Sequence, residues 1–187
     1  MLEQPYFPMG MKDTLVLPLI MMKGLDTNDL KNFRPVSNLS FISKLFERTV
    51  HGRLLNHITT FNLLLKMQSA YQSNHSTETA TLKVLNDLLL ATDVGKVSAV
   101  CFLDLSVAFD TVDYLIMLDR LKLSFGVTDS ALVWIESYLT GRSFRGLLGG
   151  QVSQEIDLLC DVPQGSVLGP LLFILYTADV ARIADAH

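Results

Sequence analysis

Carboxylates at the end of an apolar run, a glycine-rich loop and a local cluster of cations are the residues here whose types and spacing could do chemistry. The apolar run of residues 97–103 (VSAVCFL) ends abruptly on Asp104. An unpaired charge is costly to bury, so an Asp in that place is exposed at a sheet edge, paired, or bound to a cation. A strand-end or turn-capping Asp is the plainer reading. Asp110 follows six residues later, and it either reaches the same side of the turn or begins the next segment. In residues 162–173 (VPQGSVLGPLLF), a Pro, two glycines and a small hydroxyl residue precede a strongly apolar helix. Backbone N–H groups in such a loop can approach a ligand closely and the helix N-terminus favours anions, although a simple tight connection has the same composition. Finally, KNFRPVSNLSFISKLFER concentrates Lys31, Arg34, Lys44 and Arg48 in an otherwise acidic chain. A solvated helix face explains Lys44 and Arg48 as well as a phosphate contact does. Arg34, ahead of Pro35 and of the helix, is better placed for binding than for i,i+4 pairing.

The whole chain bounds these readings. Its 187 residues suffice for one domain with a sizeable core. Fifteen Lys and Arg against 19 Asp and Glu give a net charge of −4, which excludes a basic coat over the whole surface and makes any polyanion binding local. A hydrophobic content of 49% with 18% charged residues and a mean hydropathy of +0.34 excludes disorder and is oily for a soluble domain. The longest apolar runs, residues 15–22 (broken by Pro18) and 171–176, fall far short of the ~20 residues a bilayer requires, so no membrane span is expected. The oiliness points instead to core surface whose cover lies outside this chain. Cys101 and Cys160, both in apolar surroundings, read as buried free thiols of a reducing compartment. The first residues lack the pattern of a secretory signal.

Several elements must position the candidate residues. A strand-like stretch at residues 14–20 is interrupted by Pro18. From Ser40, a plausible N-cap, Phe41, Ile42, Leu45, Phe46, Val50, Leu54, Leu55 and Ile58 recur at helical spacing and predict one buried face. A second helix is expected from Ser76 or Thr77 to Thr92, burying Ala80, Val84, Leu85, Leu88 and Leu89. Residues 97–103 suit a strand covered on both faces. Helices follow over about 113–123, closed by Gly126, and 130–139, with Gly141 past the end. Strands at 144–148 and 151–159 flank Gly149 and Gly150, and a last helix runs over 170–183 with Pro170 at its start. Helix and strand mix without regular βαβ alternation, so the fold class is α+β.

Taken together, FRPVSNLSFISKLFER, QSAYQSNHSTETA, FLDLSVAFDTVD, LVWIESYLTGRSFR and VPQGSVLGPLLFILYTADV resemble, in order and spacing, the reverse transcriptase of non-LTR retrotransposons of the long interspersed element type. The resemblance covers about residues 7–180. It implies a right-hand polymerase fold cut to fingers (about 1–95 and 114–158) and partial palm (about 96–113 and 159–187), acting on an RNA template, a DNA primer and dNTPs. It further implies that Asp104 binds the Mg²⁺ ions that activate the primer 3′-hydroxyl and stabilise the leaving pyrophosphate, with the Leu105 carbonyl as an added ligand; hard Mg²⁺ prefers such oxygens. By the same resemblance Phe109 packs on the sugar of the incoming nucleotide, although core packing is its plainer role. Pro163, Gln164 and Gly165 shape the nucleotide pocket, and Arg34 contacts the triphosphate, where a guanidinium suits phosphate oxygens. Family proteins act in cytoplasm and nucleus.

The departures from the family pattern are equally informative. Gln72 stands where Arg is usual, Leu17 where Lys is common and Tyr114 where His is common. Asp161 replaces the usual Gly before VPQGS, adding a charge and a Cβ beside the nucleotide pocket. The family's aromatic-Ala-Asp-Asp hairpin supplies the remaining metal carboxylates, and no Asp-Asp pair occurs in these 187 residues. Asp179 and Asp185 lack that context. The expected protein is therefore a polymerase fragment truncated before that hairpin and inactive alone, with helix faces such as 171–175 partly uncovered, or else a non-catalytic RNA- or protein-binding module on the same fold.

Overall fold

The computed structural model describes residues 6–65, 67–102 and 108–185, which fall into two compact units, one from residues 1–63 with 107–187 and one from residues 64–106. Asp104 and Leu105 lie outside the described residues. The chain order is β1 (Asp13–Ile20), β2 (Phe33–Asn38), α1 (Phe41–Thr60), α2 (Thr77–Asp93), α3 (Tyr114–Leu123), α4 (Asp129–Leu139), β3 (Arg142–Leu148), β4 (Gln151–Val152), β5 (Ile156–Leu158) and α5 (Gly169–Asp185). This is the expected α+β mixture.

In the first unit the strands run β2-β1-β3-β4, with β5 also on β3. β1 is antiparallel to β2 and parallel to β3. The expected break at Pro18 does not occur. Pairing of β1 with β3 stops at Val16 opposite Gly146, and Pro18 lies beyond it, opposite Pro35 of the edge strand β2. With one neighbouring strand left, a missing N–H is tolerated. Gly149 and Gly150, at φ +59° and +81°, make the tight turn between β3 and β4. The single strand expected over 151–159 is divided, because Ser153 folds back on Gly146: its N–H donates to the Gly146 carbonyl and its hydroxyl accepts the Gly146 N–H, both at 2.9 Å.

Ser40 caps α1, its hydroxyl accepting the Ser43 N–H. The buried stripe, however, is Ser43, Glu47, Val50, Leu54 and Ile58, while Phe41, Ile42 and Leu45 are exposed. The helix turns inward the face that carries Glu47, not its most apolar face. Met117 and Leu121 of α3, Trp134, Ile135, Tyr138 and Leu139 of α4, and Leu171, Leu172, Ile174 and Leu175 of α5 complete the core. Each fully buried Leu or Ile contributes about 2 kcal/mol. The face expected to be uncovered at 171–175 is thus mostly buried. At the C-terminal end of α4, buried Arg142 donates to the Tyr138 carbonyl and Lys12 to that of Thr140, both at 3.1 Å, so two cations satisfy the last carbonyls.

In the second unit Ser76 and Thr79 form a capping box at the start of α2. None of its residues is buried, against the expectation for Ala80, Val84, Leu85, Leu88 and Leu89, because α2 is the only regular element among the described residues of that unit. Residues 97–102 form no strand and are exposed, Val97 at 99% and Phe102 at 89%. A strand exists by virtue of a ladder partner, and no described strand pairs with this run. Cys101 and Cys160 are exposed rather than buried. No helix among the described residues is long and apolar enough to cross a membrane.

Candidate functional site

The loop leading into α5 is tied by its backbone to two other segments. The Asp161 and Val162 N–H groups donate to the Val112 (3.4 Å) and Phe109 (3.1 Å) carbonyls, and the Cys160 thiol donates to the Asp110 carbonyl at 3.2 Å. Residues 160–162 therefore lie along residues 109–112. Further on, the Ser37 N–H of β2 donates to the Gln164 carbonyl at 2.9 Å, closing the free edge of the sheet. Gly165 permits that approach: its φ is +105°, and a Cβ there would stand 3.2 Å from the Ser37 carbonyl oxygen.

These segments enclose a cleft of about 410 Å³ whose lining includes Thr14, Pro35, Ser37, Asp110, Asp161 and Gln164. Among the residues singled out from sequence, Pro163 and Gln164 line it and Gly165 supports its edge. Asp110 lines it too, while Asp104, from which its spacing is counted, lies outside the described residues. Phe109 reaches the loop through its carbonyl, and its half-buried ring packs on Phe173 at 5.0 Å. Arg34 is exposed and is not among the lining residues. Strand alternation directs it to the face opposite Pro35 and Ser37, which do line the cleft. Asp179 is ion-paired with Arg120 of α3 at 2.9 Å.

Asp161 is the most strained residue of the cleft. Its φ is +126°, in a region that L side chains rarely adopt, and its Oδ1 is buried without a hydrogen-bond partner. Burial, and then the nearby Asp110 charge, push its carboxyl up to about 7 against the opposing pull of Arg142. Burial raises Asp110 as well. Two carboxylates thus share a partly desolvated cleft, and one of them can hold or release a proton near neutral pH. They do not make a metal centre by themselves: among the described residues no group of three His, Cys, Asp or Glu side chains could hold an ion.

Sequence reasoning missed Glu47. It is fully buried; its Oε2 accepts the Val167 N–H at 2.6 Å and the Leu168 N–H at 3.3 Å, and its Oε1 accepts the Ser43 hydroxyl at 3.1 Å. The Gly169 N–H is held by the Ser166 hydroxyl at 2.9 Å. The amides entering α5 are therefore used by the chain's own groups, which closes the reading of this helix start as an anion site for a ligand. The signal was present as an acid on the Ser43, Glu47, Val50, Leu54 stripe.

Comparison with known proteins adds the family. The family described as "Reverse transcriptase (RNA-dependent DNA polymerase)" matches residues 23–187. The chain is 31% identical over 177 residues to the probable RNA-directed DNA polymerase from transposon X-element of Drosophila melanogaster, covering 95% of this chain and 19% of that protein. It is likewise 31% identical over 175 residues, 94% of this chain and 19% of the relative, to the RNA-directed DNA polymerase from mobile element jockey of Drosophila funebris. A shorter match, 34% over 92 residues, covers 49% of this chain and 15% of the retrovirus-related Pol polyprotein from type-1 retrotransposable element R2 of Popillia japonica. The chain spans about a fifth of the length of the first two.

Proposed function

Because this chain belongs to the reverse transcriptase family and has its polymerase fold, we propose that it is the fingers and partial palm of an RNA-directed DNA polymerase and does not polymerise alone. The observation that carries this reading is the cleft walled by Pro163 and Gln164 beside residues 109–112, a few residues downstream of Asp104. On this reading, by the family resemblance, Asp104 and the Leu105 carbonyl would hold Mg²⁺, Phe109, Pro163, Gln164 and Gly165 would receive the dNTP, and Arg34 would contact the triphosphate. Two-metal transfer needs carboxylates that hold both ions, and this chain has no Asp-Asp pair to add to Asp104. Primer extension on an RNA template with Mg²⁺ and dNTPs should therefore give no product. Robust extension by the purified chain that disappears in Asp104→Ala would refute the claim of inactivity.

A second reading, a non-catalytic RNA-binding module, is favoured by Arg34, Arg48 and Arg53, which are exposed and make no ion pair among the described residues. On that reading RNA binding falls steeply with added salt and weakens several-fold in Arg34→Ala. Absence of binding at low salt counts against it.

A further inference from the structure

We propose that Glu47 is a positioning residue for the cleft: its carboxylate, held in α1, sets where the Pro163, Gln164 and Gly165 loop lies against β2. The nucleotide half of this proposal rests on the reading of the cleft above; the positional half does not. Glu47 does not line the cleft, so any effect it has there passes through the loop. A buried carboxylate costs several kcal/mol unless its charge is compensated, and among the described residues Glu47 has no ion pair. Its compensation is the two N–H groups of Val167 and Leu168, the Ser43 hydroxyl and the positive end of α5. Moving the loop would leave that charge buried and unpaired, so the loop is fixed to α1 at this end.

The other end is fixed to β2 by the Gln164 carbonyl on the Ser37 N–H. Between the anchors the chain is short and stiffened by the Ser166 N–H on the Pro163 carbonyl at 2.9 Å. Space is tight as well, since a Cβ on Gly169 would stand 2.6 Å from the Ser166 hydroxyl oxygen. With so little slack, displacement at Val167 reaches Gln164 and the edge of β2. A merely structural acid would lower stability throughout the unit. A positioning acid changes a distant amide it does not touch.

Amide hydrogen exchange on the full chain distinguishes the two, with Glu47→Ala, Glu47→Gln and the milder Ser43→Ala, which leaves the carboxylate but removes one of its holds. In Glu47→Ala, exchange should accelerate about tenfold at Val167 and Leu168 and also at Ser37, with Met117 and Leu121 in the core unchanged. Glu47→Gln, which keeps one acceptor oxygen, should restore most of the protection, and Ser43→Ala should show the same pattern more weakly. Binding of dATP, read from the same amides, should weaken several-fold in Glu47→Ala and recover in Glu47→Gln. Protection at Ser37 that stays at the wild-type level while Val167 is freed, or a uniform loss over the core, overturns the proposal; if Glu47→Ala does not fold, the other two variants decide it. A wild-type chain that binds no dATP removes the nucleotide reading and leaves the Ser37 result to judge Glu47.

Discussion

At Asp161 a side chain and a backbone conformation are in conflict. The φ of +126° suits glycine, and the carboxyl is partly buried with an unpartnered oxygen. Its pH dependence has a definite sign. A carboxyl raised from 3.8 to about 7 on folding binds its proton more tightly in the folded state, so its stabilising contribution is fully present below pH ~4 and is lost as pH rises to ~7. At about 1.4 kcal/mol per pH unit the ceiling is about 4 kcal/mol, and remaining access to solvent brings the expected loss nearer 2. Asp161→Asn should flatten urea-unfolding stability between pH 5 and 8 relative to wild type. Asp161→Gly should do the same and add about 1 kcal/mol at both pH values, because it also relieves the backbone. A wild-type chain that gains stability over this range relative to Asp161→Asn would contradict the assignment. The sequence exposed this residue only through its departure from the family pattern; nothing in its neighbours implies a positive φ.

Among the elements, the loop between β5 and α5 concentrates the constraints. Gly165→Ala combines a positive φ with a backbone oxygen 3.2 Å from the new Cβ, and backbone cannot rotate away as a side chain can. The expected cost is about 2 kcal/mol in chemical denaturation, with loss of protection at the Ser37 amide. An unchanged unfolding midpoint would mean that the loop is not held against β2. Helix starts were legible because capping is local: Ser40, Ser76 and Asp113 each accept N–H groups of the turn they begin. The buried face of α1 was not legible, because it is chosen by what packs on it. Helical spacing weighs Phe41 and Leu45 above Ser43 and Glu47, whereas the loop amides 120 residues downstream need the carboxylate. The run at 97–102 failed for a related reason, since periodicity reports a strand's capacity to be buried but supplies no partner.

Over the whole molecule, the net charge of −4 conceals a segregation. Residues 30–77 hold six Lys and Arg against a single acid, Glu47, and that acid is buried and already used by the α5 amides. Local binding of a polyanion is thus compatible with an acidic chain. The oiliness has a comparable resolution. The core of the first unit is well covered, as Leu172 and Leu175 show at 0% exposure, yet Phe41 (76%), Leu115 (76%), Leu123 (80%) and Leu159 (87%) stand in solvent. Large apolar side chains left out of a core that closes without them are surface for something else. The curated relatives it matches are about five times longer than this chain. Isolated, the chain should self-associate: its sedimentation coefficient should rise with concentration, and Leu115→Gln with Leu123→Gln should reduce the rise while changing unfolding stability by less than about 1 kcal/mol, because exposed leucines have little packing to lose. A monodisperse, cooperatively melting monomer at all concentrations would show instead that these side chains are tolerated singly, and that the excess hydrophobicity belongs wholly to the core.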